Sequence, residues 1–63
     1  MQFVSMARIV EKFLEKAEHF RRLKEETTDD LRRSQFEEME TSYQLLAESE
    51  RLFAETRRIK GDV

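Results

Sequence analysis

The chain contains no cysteine, proline or tryptophan, and only one glycine and one histidine in 63 residues. Without cysteine there is no disulfide and no thiolate metal site, and a lone imidazole does not make a zinc centre. With no proline, and with Gly61 as its one glycine, nothing before the last residues forces the backbone out of a helix. No apolar run approaches the roughly 18 residues of a membrane span. The opening MQFVSMARIV has no basic n-region and no small-residue cleavage site, and charge follows at once; a cytoplasmic protein with no membrane segment is the expectation. A net charge of −2 gives no general attraction to nucleic acid or anionic lipid.

What is present is charge and a modest set of apolar residues: 41% charged, 38% hydrophobic, with five Phe and one Tyr. Such a composition is that of long helices or coiled coils. High charge with few hydrophobes is also the mark of disorder, so the spacing of the apolar residues decides between the two. The length allows one domain, 1–63. A chain this short buries only about 60% of the surface its unfolded form exposes. With disulfides and metals removed, oligomerisation is the remaining source of support.

The apolar residues are ordered. Phe3, Met6, Ala7, Val10, Phe13, Leu14, Ala17 and Phe20 follow steps of three and four, which on a helix cover an arc of roughly 140°. Arg8, Glu11, Lys12, Glu15, Glu18, His19 and Arg22 take the other side, and Ile9 and Leu23 flank the stripe. The spacing predicts a first helix over about 3–26. In the second half Phe36, Met39, Tyr43, Leu46 and Phe53 keep a heptad spacing interrupted at Glu50, with Ala47 and Ala54 beside it. A second line, Leu31, Leu45, Leu52 and Ile59, runs at multiples of seven, and Ser42, Ser49 and Thr56 lie between the two. A second helix over about 29–60 therefore carries an apolar arc of about 200°, where one partner helix covers roughly 100°. Asp29, Asp30, Glu37 and Glu38 near its start and Arg57, Arg58 and Lys60 near its end suit the helix dipole, and Gly61 reads as a stop.

Between the stripes lies KEETTDDLRRSQ, residues 24–35, without regular apolar spacing. A heptad frame carried on from Phe3 fails after Phe20, and the later stripe is out of phase with it. A stutter could keep one long helix. The favoured alternative is a corner at 27–28, with Thr27 or Thr28 capping a new helix and Asp29 and Asp30 in its first turn. Folding there opposes residues whose numbers sum to about 56: Phe20 with Phe36, Ala17 with Met39, Phe13 with Tyr43, Val10 with Leu46, Phe3 with Phe53.

The segment from Lys12 onward resembles a group of short uncharacterised bacterial helical-hairpin proteins. Their first helix reads A-E-x-x-R-x-L-A, their corner T-D-P, and their second helix L-x-x-M-A-x-x-Y-x-x-L-A. Ala17, Glu18, Arg21 and Leu23 match the first part, Thr28 and Asp29 the corner, and Arg32 or Arg33 an arginine that follows it. Met39, Tyr43, Leu46 and Ala47 match the last part. Lys24 and Glu40 stand where the pattern has alanine, and Asp30 where it has proline. The resemblance implies a helical hairpin and brings no activity with it.

The reading is therefore an all-α antiparallel two-helix hairpin, expected to dimerise into a four-helix bundle. The intrachain core is assigned to Phe3, Val10, Phe13, Ala17 and Phe20 of the first helix and Phe36, Met39, Tyr43, Leu46 and Phe53 of the second. The candidate interface is Ile9, Leu23, Leu31, Leu45, Leu52 and Ile59, open to a second copy or to a heterologous protein helix. No cofactor is expected and no enzyme, since there is no nucleophile–base pair. His19 lies on a polar face, and the carboxylates of 37–40 lack the Glu-x-x-His partners of a di-metal bundle. The alternative is a small dimeric RNA- or DNA-associated regulator, drawing on Arg21, Arg22, Lys24, Arg32 and Arg33 around the corner. Glu25, Glu26, Asp29 and Asp30 interleave with these cations and offset their field. A mobility-shift titration with generic RNA and DNA at about 50 mM salt, where electrostatic binding is strongest, is expected to show no complex.

Overall fold

The computed structural model describes the backbone of residues 6–61 and the side chains of residues 8–56. Two helices, α1 (Met6–Glu26) and α2 (Asp30–Gly61), pack against each other as an antiparallel hairpin. Residues 27–29 connect them, so 24–35 is not one continuous helix. Phe3 lies outside the described residues. α2 is described as far as Gly61, the glycine read as its stop.

The corner is built from capping bonds. The Thr27 N–H donates to the Leu23 carbonyl at 3.1 Å, closing α1. Thr27 Oγ1 then accepts the Asp29 N–H at 3.2 Å. The Asp29 carboxylate accepts the N–H groups of Leu31 (2.9 Å) and Arg32 (3.4 Å), while its carbonyl accepts that of Arg33 (2.9 Å). Asp29 is thus the N-cap itself. The expectation that Thr27 or Thr28 caps α2, with Asp29 already inside it, is corrected. A carboxylate can satisfy two orphan amides at once, and its charge complements the positive helix end. Arg33 completes the corner: its guanidinium donates to the Thr27 carbonyl at 3.1 Å, one of the carbonyls left without a partner at the end of α1, and pairs with Asp30 at 2.6 Å. No described residue has a positive φ, which is why the chain reverses here without glycine.

The seam between the helices follows steps of three and four on each. From α1 it takes Val10, Phe13, Ala17, Phe20 and Lys24; from α2, Phe36, Glu40, Tyr43, Ala47, Glu50 and Ala54. Ala17 and Ala47 are the buried members, at 4% and 2% exposure, and the others are half-buried. Four rings form a file along its middle. Phe36 lies 6.1 Å from Phe20, Phe20 is stacked on Tyr43 at 5.9 Å, and Tyr43 lies 6.2 Å from Phe13. Aromatic pairs in this range add about 0.5–1.5 kcal/mol each beyond the area they bury.

This seam differs from the assigned core on α2. Met39, Leu46 and Phe53, expected against α1, are exposed, as is Leu14 of α1. The contact stripe of α2 is turned by about 50° on its axis, from the Met39–Leu46 line to the Tyr43–Ala47 line. Packing accounts for the turn. Phe20 stacks on Tyr43, Ala47 and Ala54 let the helices come together where Leu46 and Phe53 would hold them apart, and Lys24 draws Glu40 into the seam.

The result is one layer of two helices. Its Cα atoms span 52 × 23 × 11 Å with a radius of gyration of 15.2 Å, against about 11 Å for a compact domain of this length. Asp29→Ala is expected to destabilise the fold by about 1 kcal/mol, while Thr28→Ala, which removes none of these capping bonds, is expected to be near neutral. Urea titration of both variants followed by circular dichroism checks the difference.

Candidate interaction surface

At the corner end of the seam Lys24 Nζ donates to Glu40 at 2.8 Å and to Glu37 at 2.9 Å. The Lys24 and Glu40 side chains are 24% and 12% exposed, whereas Glu37 is open to water. The hydrogen bond to Glu40, then that to Glu37, raises the Lys24 pKa above its ordinary value, against a smaller desolvation effect. Lys24 is one heptad from buried Ala17 and Glu40 one heptad from buried Ala47, so the two charges meet in the register in which the alanines are enclosed. The sequence reading did not pair them, although a lysine and a glutamate both on seam heptads, on facing helices, was the signal.

The other cations near the corner are paired as well. Arg21 bonds Glu18 and, at 2.7 Å, Glu25; Arg22 reaches Glu18 at 3.4 Å; Arg32 lies 3.9 Å from Asp29; Arg33 holds Asp30. The Arg21 hydrogen bond brings the Glu18 carboxyl down from 4.5 to about 2. Glu18 therefore contributes stability that is complete above about pH 4.5 and is lost as pH falls towards 2, a small effect because both partners are well hydrated. None of the five tip cations is left without an acidic neighbour.

What stays open is apolar. Leu31, Met39, Leu45, Leu46, Leu52 and Phe53, all on α2, are between 42% and 69% exposed. They form two rows, Leu31/Leu45/Leu52, with Glu38 in line between the first two, and Met39/Leu46/Phe53, on either side of the exposed midline Ser42, Ser49 and Thr56. From Met39 to Thr56 these positions carry no charge, in a chain that is 41% charged. Ser49, Leu52, Phe53 and Thr56 line a shallow groove on this face. Of the assigned interface residues, Leu31, Leu45 and Leu52 are here and exposed. Ile9 and Leu23 of α1 are half-buried instead: they sit on the shoulder of the seam, where α2 partly covers them. The Ile59 side chain lies outside the described residues. Met39, Leu46 and Phe53, which belong to the face rather than to the core, were the members that sequence reasoning misplaced.

Chemistry of other kinds has little to work with. His19 is exposed and meets the Phe20 ring edge-on at 5.2 Å. Among the described residues no three His, Cys, Asp or Glu gather as a metal site, and no helix is long and apolar enough to cross a membrane. Comparison with known protein families, with curated proteins and with solved structures gives no match.

Lys24→Met alone strands Glu40 in the seam, and Glu40→Met alone leaves Lys24 only its solvent-exposed partner, so each is expected to lower the melting temperature. The double variant should recover most of the loss, because two apolar side chains can fill a space that one unpaired charge cannot. Thermal melts of the four proteins check the cycle. The Lys24 contribution should also be present below about pH 10.5 and fade as pH rises through its raised pKa.

Proposed function

We propose that this hairpin is a non-enzymatic self-association module, two copies of which join through the open face of α2 into a four-helix bundle. The observation that carries the proposal is the exposed apolar face of α2, uncharged from Met39 to Thr56, on a chain whose described residues include only two buried hydrophobic side chains. The chain's accessible surface is 5483 Å², whereas a compact monomer of 7.7 kDa exposes about 4,300 Å². The excess over the whole chain, about 1,150 Å², is of the same order as the roughly 800 Å² that each partner contributes to a stable interface. A second copy supplies the second layer that a helical core requires. The resemblance to short helical-hairpin proteins supports the same architecture and adds no catalytic role.

Sedimentation at ~10 μM is expected to give a dimer whose dissociation on dilution lowers its melting temperature, because folding and association are then linked. Leu45→Glu with Leu52→Glu is expected to abolish the dimer and most of the stability. A well-folded monomer of the parent protein at that concentration overturns the proposal, and a double variant that keeps both dimer and melting temperature moves the interface off this face.

A further inference from the structure

We infer that the second copy docks antiparallel, α2 along α2, with the two-fold axis crossing midway between Leu45 and Leu46. The inference rests on the self-association proposed above and specifies its geometry. A two-fold interface must be complementary to itself, and in an antiparallel helix pair this requires like positions at equal distances on either side of the axis. The open face has that arrangement. Leu45 and Leu46 flank its centre, Ser42 and Ser49 lie next out, and Met39 and Glu38 on one side come opposite Leu52 and Phe53 on the other. Glu38 is the one charge in the match and lies near enough to the end of the face to keep its carboxylate in water. Leu31, the most exposed large hydrophobic side chain described, is in the first turn of α2 and comes opposite position 59, in the last turns of the second copy's α2. Residues whose numbers sum to about 91 therefore face one another along the whole helix. The small midline side chains let the two backbones approach while the large rows close on both sides.

A parallel pair uses the same face less well. It brings the two copies of Glu38, which lies in the Leu31/Leu45/Leu52 row, to the same height. Like charges held side by side are destabilising. The antiparallel pair separates the two Glu38 positions by about 22 Å along the axis. It also opposes the dipoles of two 32-residue helices rather than aligning them.

The absence of cysteine makes the test direct. Ser42→Cys and Ser49→Cys place single thiols on exposed, small positions. In the antiparallel pair residue 42 of one copy faces residue 49 of the other. Two copies of residue 42, or of residue 49, are about 10 Å apart along the axis, more than the ~7 Å between Cα atoms that a disulfide can span. An equimolar mixture of the two single variants, refolded together and oxidised, is expected to run as a covalent dimer on a non-reducing gel, and each variant alone as a monomer. Covalent dimers from each variant alone, with none that is mixed, overturn the antiparallel arrangement and leave self-association standing. Reduced variants that sediment as dimers but give no covalent product in any combination overturn this register and the use of this face. Monomeric parent protein, or capture of the face by a heterologous helix in preference to itself, overturns the self-association on which the inference rests.

Discussion

A helix with a single neighbour buries the stripe that faces that neighbour and little else, and each helix of this hairpin has a single neighbour. The rest of the structure follows from that restriction. The layer is 11 Å thick at the level of the backbone, so no large side chain can be enclosed on all sides. Only the small Ala17 and Ala47 disappear from solvent among the described residues. The four-ring file of Phe36, Phe20, Tyr43 and Phe13 is half-buried for the same reason, sandwiched between helices but open to either side of the layer.

Within the restriction the seam is divided by chemistry. Rings fill its middle, where the helices are spaced to admit them. Alanines line the stretch towards the C-terminal part of α2. At the corner end, where helices close on a three-residue turn, Lys24 meets Glu40 and Glu37. Those charges come together only when α1 and α2 are antiparallel in this register, so the ion cluster and the aromatic file select the same alignment. The corner adds its own selection. Asp29, Thr27 and Arg33 satisfy groups from both helix ends and leave few unbonded in the turn.

The functional reading grows from what the seam does not use. Charge is abundant on this chain, yet it is spent locally: the cations around the corner are each held by an acidic neighbour, and the face of α2 between Met39 and Thr56 has none. A paired cation projects a weak field, whereas an uncharged row of leucines and a phenylalanine gains free energy from any apolar surface that covers it. Between the two, it is the apolar face on which the proposed pairing with a second copy rests, and its arrangement about Leu45 and Leu46, with Glu38 the exception, is what that proposal uses.

The sequence by itself determined that there are two helices, that they meet at a corner near Thr27 and Thr28, and that α2 carries more apolar surface than α1 can cover. These follow from periodicity, which depends only on the 3.6-residue repeat and on where the pattern breaks. The opposition of Phe20 to Phe36 and of Phe13 to Tyr43 follows from the position of the turn. The tertiary structure decided which part of the wide arc faces inward. Heptad spacing says which residues share a face; it does not say how far a helix is rotated about its axis when two faces lie side by side. The stacking of Phe20 on Tyr43, the small size of Ala47 and the pull of Lys24 on Glu40 set that rotation. Met39, Leu46 and Phe53 were thereby turned from core to surface, and Asp29 rather than a threonine became the cap, because its carboxylate was placed to take two amides together.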